Sequence, residues 1–447
     1  MHLVPTAIAH PHARELLQMS RVLDQLHGAV ERIHADVLCR ETRTALPQKG
    51  REGMTAEQIL RALVVKQMNR FSYEELAFHL ADSSTYRTFY RFGIDRQAPS
   101  KSTLQRNLKR VTVTTWESLN RQLLLYASAK GVERGEKART DCTVVASNIH
   151  HPTDSSLLWD CVRVLTRQMG QAQTHFGLAF TDRRRRAKRR ALGILNAKSN
   201  AQRVPLYRDL LRVTDKTVRQ AERLADELDQ GAATNGMDLL RAGALADQLR
   251  HHVGLAKRVL DQTKRRVLAG ESVPASEKLV AIFETHTDII VKDRRETLYG
   301  HKVCLPGGAS GLITDIVVEQ GSPADATLTV PMMQRQRDLY GKPPRQASFD
   351  GAFASKKNLA DLKALGITDV AFSKRGSLAI TDMVKSTWVY RRLRNFRAGV
   401  EATISFLKRT FGLDCCAWSG FGSFKAYVLA SVLACNLRLM ARLTLAG

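Results

Sequence analysis

Between residues 55 and 117 the apolar positions recur every three or four residues in short runs, each opened by a polar start signal. Thr55 with Gln58 in "TAEQ" and Ser72 with Glu75 in "SYEE" have the form of capping boxes, and "PSKSTLQRNLKRV" offers Ser102 ahead of a basic segment. The pattern predicts three compact helices with a basic last one. It changes at residues 138–152, "ARTDCTVVASNIHHP", where Thr and Val predict a strand ending at Pro152. From about 155 to 280 helical spacing returns, in two long segments joined by "GAATNG" and therefore antiparallel. Their apolar stripe, with Leu224, Leu228, Leu239, Leu245, Leu249, Val259 and Leu260, is longer than a lone hairpin can bury. It must pack on the chain's own core or on a partner.

Strands return with "DIIVK", "GHKVCLP" and "GLITDIVVEQG", a hairpin or meander. They are followed by "QASFDGAFASKKNLADLKALGITDVAFSKR". There "QASF" is a short strand ending in Asp350, Ser355 caps a helix that stops at Gly366, and a second strand closes on Lys374 and Arg375. The run "FRAGVEATISFLKRTFG", residues 396–412, is amphipathic: Phe396, Val400, Ile404, Leu407 and Phe411 form one side. Arg397, Glu401 and Lys408 fall within about 40° of one another at its edge.

A chain of 447 residues with 44% hydrophobic and 25% charged content supports two or three cored domains and is neither disordered nor fibrous. Charge adds a partner class. Against 43 Asp and Glu stand 69 Lys and Arg, spread along most of the chain, and a formal charge of +26 attracts polyanions, nucleic acid above all. No apolar run approaches the roughly 18 to 20 residues that span a bilayer, and the start lacks a basic stretch followed by an apolar one. The expectation is a soluble, intracellular protein. Seven cysteines without a C-x-x-C pair suit a reducing compartment and core packing, the adjacent Cys415 and Cys416 included, and give no zinc site.

Three acids stand where acids are not expected. Asp141 lies mid-strand; its plain reading is a solvent-facing edge position. Asp350 lies at the carboxyl end of a strand, where α/β sheets place ligand sites, and its plain reading is a helix cap or turn. Glu401 stands among bases, and an i, i+4 pair with Arg397 would account for it at a few tenths of a kcal/mol. Taken together, two strands and a helix can bring the three to one end of a sheet. Such hard oxygens bind Mg²⁺, and two ions about 3.5 to 4 Å apart would serve an in-line phosphoryl displacement. Arg397 and Lys408 would then hold the DNA backbone. Lys101, Arg106, Lys109 and Arg110 favour a helix-turn-helix type of DNA unit at 55–117 over a small bundle for dimerisation. "RRRRAKRR", residues 183–190, is a solvated face or part of the DNA-facing field.

On Asp141 in "RTDCTVV", Asp350 in "SFDGAFAS" and the R-x3-E-x6-K run of Arg397, Glu401 and Lys408, the chain resembles the DDE transposases of bacterial insertion sequences. A large insertion after the first catalytic strand is similar to the ISNCY group. The resemblance implies an α/β fold, with an RNase H-like mixed sheet interrupted by that helical insertion. The corresponding layout is a helical DNA-binding domain at 1–130, the first part of the core at 131–154, the insertion at 155–280 and the rest of the core at 281–447. It implies Asp141, Asp350 and Glu401 as catalytic residues and ligands of two Mg²⁺ ions, Mn²⁺ substituting. Contacts to DNA would come from Arg397, Lys408, Arg394, Lys374, Arg375, Lys101, Arg106, Lys109 and Arg110. Implied partners are the element's terminal inverted repeats and target DNA, with a homodimer or higher assembly on DNA, no membrane, and a cytoplasmic, nucleoid-associated location. The fuller family signature has a Tyr three residues before the Arg; here that position is Arg394, and the Tyr's role does not transfer. The alternatives are a metal-dependent nuclease without strand transfer, a non-enzymatic DNA-binding protein and an inactive descendant.

Overall fold

Eleven residues rich in β-branched side chains form the central strand, β1, Lys137–Ser147. In the computed structural model, which describes residues 10–26, 28–38, 53–93, 96–231, 236–292, 296–373, 376 and 378–446, six further strands complete a mixed sheet. They are β2 (Asp288–Lys292), β3 (Glu296–Gly307), β4 (Val317–Val318), β5 (Gln346–Phe349), β6 (Asp369–Phe372) and β7 (Cys415–Cys416). The order is β2-β3-β1-β5-β6, with β4 on β3 and β7 on β1. β3 runs antiparallel to β1, while β1, β5 and β6 run parallel. The parallel members β5 and β6 carry Phe349, Val370 and Phe372 fully buried, as strands covered on both faces require. Gly300 of β3 approaches β1 so closely that a Cβ there would strike the Val145 carbonyl.

Chain contacts divide the protein into two compact units, residues 1–148 with 300–447, and residues 149–299. In the first, helices between Pro11 and Ala129 share one core with the C-terminal helix Phe421–Ala446. Both expected capping boxes close, Thr55 with Gln58 and Ser72 with Glu75. The cap of the basic helix Lys101–Leu108 is Ser100 rather than Ser102: the Ser100 hydroxyl accepts from Thr103 N at 3.3 Å, and Ser102 already lies inside the first turn.

The C-terminal helix corrects the expectation that no apolar run suffices to span a bilayer. By length and composition Phe421–Ala446 qualifies, at a mean hydropathy of 1.5 over its most apolar window. Its apolar surface is core surface: Val428, Val432, Leu433 and Leu437 are fully buried. Its polar groups pair with neighbouring elements. Asn436 holds both Ile313 N and Ile313 O, the Ser431 hydroxyl accepts from Gln67 at 2.6 Å, and Asn120 donates to the Leu429 carbonyl.

The second unit is built on helices Asp154–Phe176, Arg184–Asn196, Asn200–Asp229 and Gly236–Thr263. The third and fourth are the two long segments expected from the pattern; most of their connection, residues 232–235, lies outside the described residues. Leu224, Leu228, Leu245, Leu249, Val259 and Leu260 are buried in this unit's own core, against Leu158, Val162 and Leu165 of the first helix. The stripe, too long for a hairpin alone, is covered by that additional helix; Leu239 alone of the seven is exposed. Of the "RRRRAKRR" run, Arg186 and Arg190 pair with Asp209 at 2.6 and 2.5 Å, while Arg185, Lys188 and Arg189 face solvent.

Candidate active site

Parallel register assembles the first part of the site. β1 and β5 pair as far as Thr140 with Phe349, and β5 and β6 as far as Phe349 with Phe372. One residue further along each strand stand Asp141, Asp350 and Ser373, in a row across three strands. Asp350 stands at the N-cap of the one-turn helix Gly351–Phe353, as its position allowed, but its side chain makes no capping bond; its Oδ1 accepts from the Ser373 hydroxyl at 2.6 Å. Asp141 is not at a solvent-facing edge. β1 is central, and the carboxylate, 16% exposed, takes the Cys142 backbone N–H on Oδ1 at 2.8 Å.

Arg397 joins this row to the helix Thr387–Phe411. Its Nη2 lies 2.8 Å from Asp141 Oδ2 and 3.6 Å from Asp350 Oδ1, and its Nη1 donates to Glu401 Oε1 at 2.7 Å. The i, i+4 pair read from the helix is therefore real, and it is one arm of a three-carboxylate cluster. Asp141 and Arg397 are largely covered, whereas the Glu401 side chain is 60% exposed. Lys408, on the same helix edge, donates to the Val144 carbonyl of β1 at 3.0 Å.

The helix is fixed over the sheet by bonds to the same three strands. Ser348 of β5 donates to the Leu393 carbonyl and Tyr390 donates to the Phe372 carbonyl of β6. Arg139 of β1 donates to the Phe396 carbonyl at 2.9 Å and stacks on the Phe396 ring. Arg139 is two residues before Asp141 and so on the same face of the strand. Its guanidinium fills the space that a side chain on Gly399 would need. Sequence reading missed Arg139, Gly399 and Ser373. The signal available was a glycine inside an otherwise strong helix, a position that costs stability unless something must approach closely.

Burial pushes the Asp141 carboxyl above its ordinary range; Arg397 and the Cys142 N–H oppose the rise, and Asp350 and Glu401 add to it. Three carboxylates against one guanidinium leave the cluster two negative charges in excess. The donors are all hard oxygens, the set that suits Mg²⁺ or Mn²⁺. As placed, among the described residues no three His, Cys, Asp or Glu side chains converge closely enough to hold an ion, because the guanidinium lies between the carboxylates. The residues fit a divalent cation in chemistry and charge, provided that Arg397 yields its place.

Of the basic residues expected to meet DNA, Arg394 is exposed on the site helix. Lys101, Arg106 and Lys109 are exposed and Arg110 is half-buried, Lys101 pairing with Glu74 at 2.9 Å. Lys374 and Arg375 lie outside the described residues. A cavity of about 470 Å³ lined by Glu117, Asp315, Arg335 and Asp338 shares no residue with the carboxylate cluster, and its Arg335 and Asp315 are spent on each other at 2.7 Å.

Two family models match the chain: one described as Transposase domain (DUF772), over residues 11–110, and one described as Transposase DDE domain, over residues 291–437. The second contains Asp350, Arg397, Glu401 and Lys408; Asp141 lies outside both. No curated protein and no solved structure matches.

Proposed function

We propose, for a chain that is a DDE transposase and therefore a polynucleotidyl transferase, that it binds the ends of its insertion sequence and cuts and joins DNA strands at the Asp141, Asp350 and Glu401 cluster. Its domain match implies an RNase H-like fold, and transposases act on DNA. The observation that carries this reading is the arrival of all three carboxylates at one guanidinium, from two neighbouring strands and a helix far apart in sequence.

In this reading Asp141, Asp350 and Glu401 would hold divalent ions, Mg²⁺ with Mn²⁺ substituting, and two such ions stabilise the attacking and leaving oxygens of an in-line displacement. Asp141 is oriented by the Cys142 N–H and Asp350 by the Ser373 hydroxyl, so each presents a fixed oxygen to the site. The site helix, locked to three strands, holds Glu401 in step with them. Arg394, Arg397 and Lys408 line the helix that a DNA backbone would follow. The exposed Lys101, Arg106 and Lys109, with Arg110, would contact the element's terminal repeat.

Cutting and joining two ends needs two such clusters. The acting form is therefore at least a dimer on DNA, working in the cytoplasm at the nucleoid. The test is Mg²⁺-dependent cleavage of labelled element ends, followed by detection of joined products. Cleavage without joining marks a nuclease, and binding without cleavage marks a non-enzymatic DNA-binding protein.

A further inference from the structure

We infer that Arg397 is an exchangeable counter-ion of the carboxylate cluster, which a divalent cation and a DNA phosphate displace together. The inference rests on reading Asp141, Asp350 and Glu401 as the metal-holding residues, and adds how their loading is controlled.

Each carboxylate has its own second tether or its own exposure, but among the described residues only Arg397 spans all three. Asp141 Oδ1 accepts the Cys142 N–H, and Oδ2, which that bond does not touch, is the oxygen that Arg397 Nη2 takes at 2.8 Å. The same nitrogen is 3.6 Å from Asp350 Oδ1, and Nη1 takes Glu401 Oε1 at 2.7 Å. An ion shared by these oxygens would occupy the space between them, where the guanidinium now lies. Like charges exclude joint occupancy, so for the ion to enter, the guanidinium must leave.

Two features make departure feasible. The guanidinium is incompletely satisfied: its Nε is buried without an acceptor, so the arrangement is not the fully bonded network that a permanent buried ion pair requires. Its destination is also chemically defined. A guanidinium binds a phosphate with two parallel N–H bonds as well as it binds a carboxylate, and phosphate is what a DNA substrate brings to this helix. Ion entry and phosphate binding are then coupled through one side chain, and the coupling is reciprocal: DNA tightens the ion and the ion tightens DNA. Without DNA the guanidinium occupies the space between the acids, which keeps metal loading low until a substrate phosphate draws it away.

The test is Mn²⁺ titration by calorimetry and electron paramagnetic resonance on the full chain, with and without an element-end duplex, the duplex-only titration being subtracted. Wild type, Arg397→Gln, Arg397→Lys and Asp350→Asn are compared, with thermal melting as the check on folding. Without DNA, Arg397→Gln binds Mn²⁺ about tenfold tighter than wild type, an ordinary size for coupling between linked ligands. Its melting temperature is lower without metal and rises more on adding Mn²⁺. The duplex tightens Mn²⁺ in wild type and does so much less in the variant. Arg397→Lys, which keeps a charge but spans fewer carboxylates, lies between the two, and it decides the matter alone should the Gln variant not fold. Unchanged or weaker Mn²⁺ binding in a folded Arg397 variant overturns the inference. If Asp350→Asn abolishes Mn²⁺ binding in that case, the metal-site reading stands and only the exchange falls. If Asp350→Asn leaves Mn²⁺ binding intact, the site reading itself falls.

Discussion

Arg139 and Gly399 compete for one space: the guanidinium carried by β1 lies where a side chain at position 399 of the site helix would stand. Replacing a helical Gly by Ala ordinarily gains up to about 1 kcal/mol. Here Gly399→Ala must displace an Arg that is stacked on Phe396 and bonded to its carbonyl, so a net loss of about 1 to 3 kcal/mol is expected, the usual range for overpacking. Chemical denaturation of both single variants and the double variant checks it: with Arg139→Ala also present, the gain from Gly399→Ala reappears.

Asp141→Asn, Asp350→Asn and Glu401→Gln each keep shape while removing a charged oxygen from the cluster. Cleavage and joining of labelled ends are expected to fall by about a hundredfold or more in each, on the scale of losing one stabilising group in an active site. Affinity for the duplex, measured by filter binding without divalent metal, stays level or rises slightly because a negative charge near the backbone has gone. Normal cleavage by any one of them removes that residue from the site.

Lys408→Met removes a hydrogen bond from the site helix to Val144 of β1 and one of many cations. Strand cleavage drops on the order of tenfold, the kind of loss that misplacement in a site produces, while bulk DNA affinity changes little because a chain of +26 spreads its attraction widely. Equal proportional losses in the two assays would show Lys408 to be only part of the general field.

The helix Lys101–Leu108 and its cap present Lys101, Arg106 and Lys109 to solvent. If these meet phosphates, the triple Ala variant lowers the slope of log affinity against log salt by about 0.9 for each phosphate no longer neutralised. It also narrows the preference for element ends over scrambled duplex. A slope identical to that of wild type assigns this helix to packing or dimerisation.

Asp141 gives a dependence of stability on pH. Burial raises its carboxyl above the ordinary range despite Arg397, so the folded chain holds this proton more tightly than the unfolded chain does. Stability from this group is therefore greatest below the unfolded pKa, and declines as pH rises from the ordinary aspartate range through the folded pKa. At pH 7 Asp141→Asn melts at or above the wild-type temperature, and the difference shrinks on acidification. A variant clearly less stable at pH 7 would mean that the pairing with Arg397 outweighs burial.

The features legible in the linear chain are those that depend on near neighbours along it. Thr and Val made β1 readable, Thr55 and Ser72 announced their helices, "QASF" and the segment after Gly366 marked a strand-helix-strand unit, and the 3.6-residue period put Arg397, Glu401 and Lys408 on one edge. These are short-range steric and hydrogen-bonding preferences, which a linear pattern carries. Everything else came from packing between distant segments. The C-terminal helix has the composition of a membrane span and becomes core because distant helices cover its apolar side chains and Asn120, Gln67 and Ile313 meet its polar groups. The stripe of the second unit found its cover in a helix well upstream, Asp154–Phe176. The partnership of Arg397 with Asp141, across 256 positions, depends on parallel register and on Arg139 fitting beneath Gly399. No local pattern records such a pairing, because it exists only once the helix has been laid across the sheet.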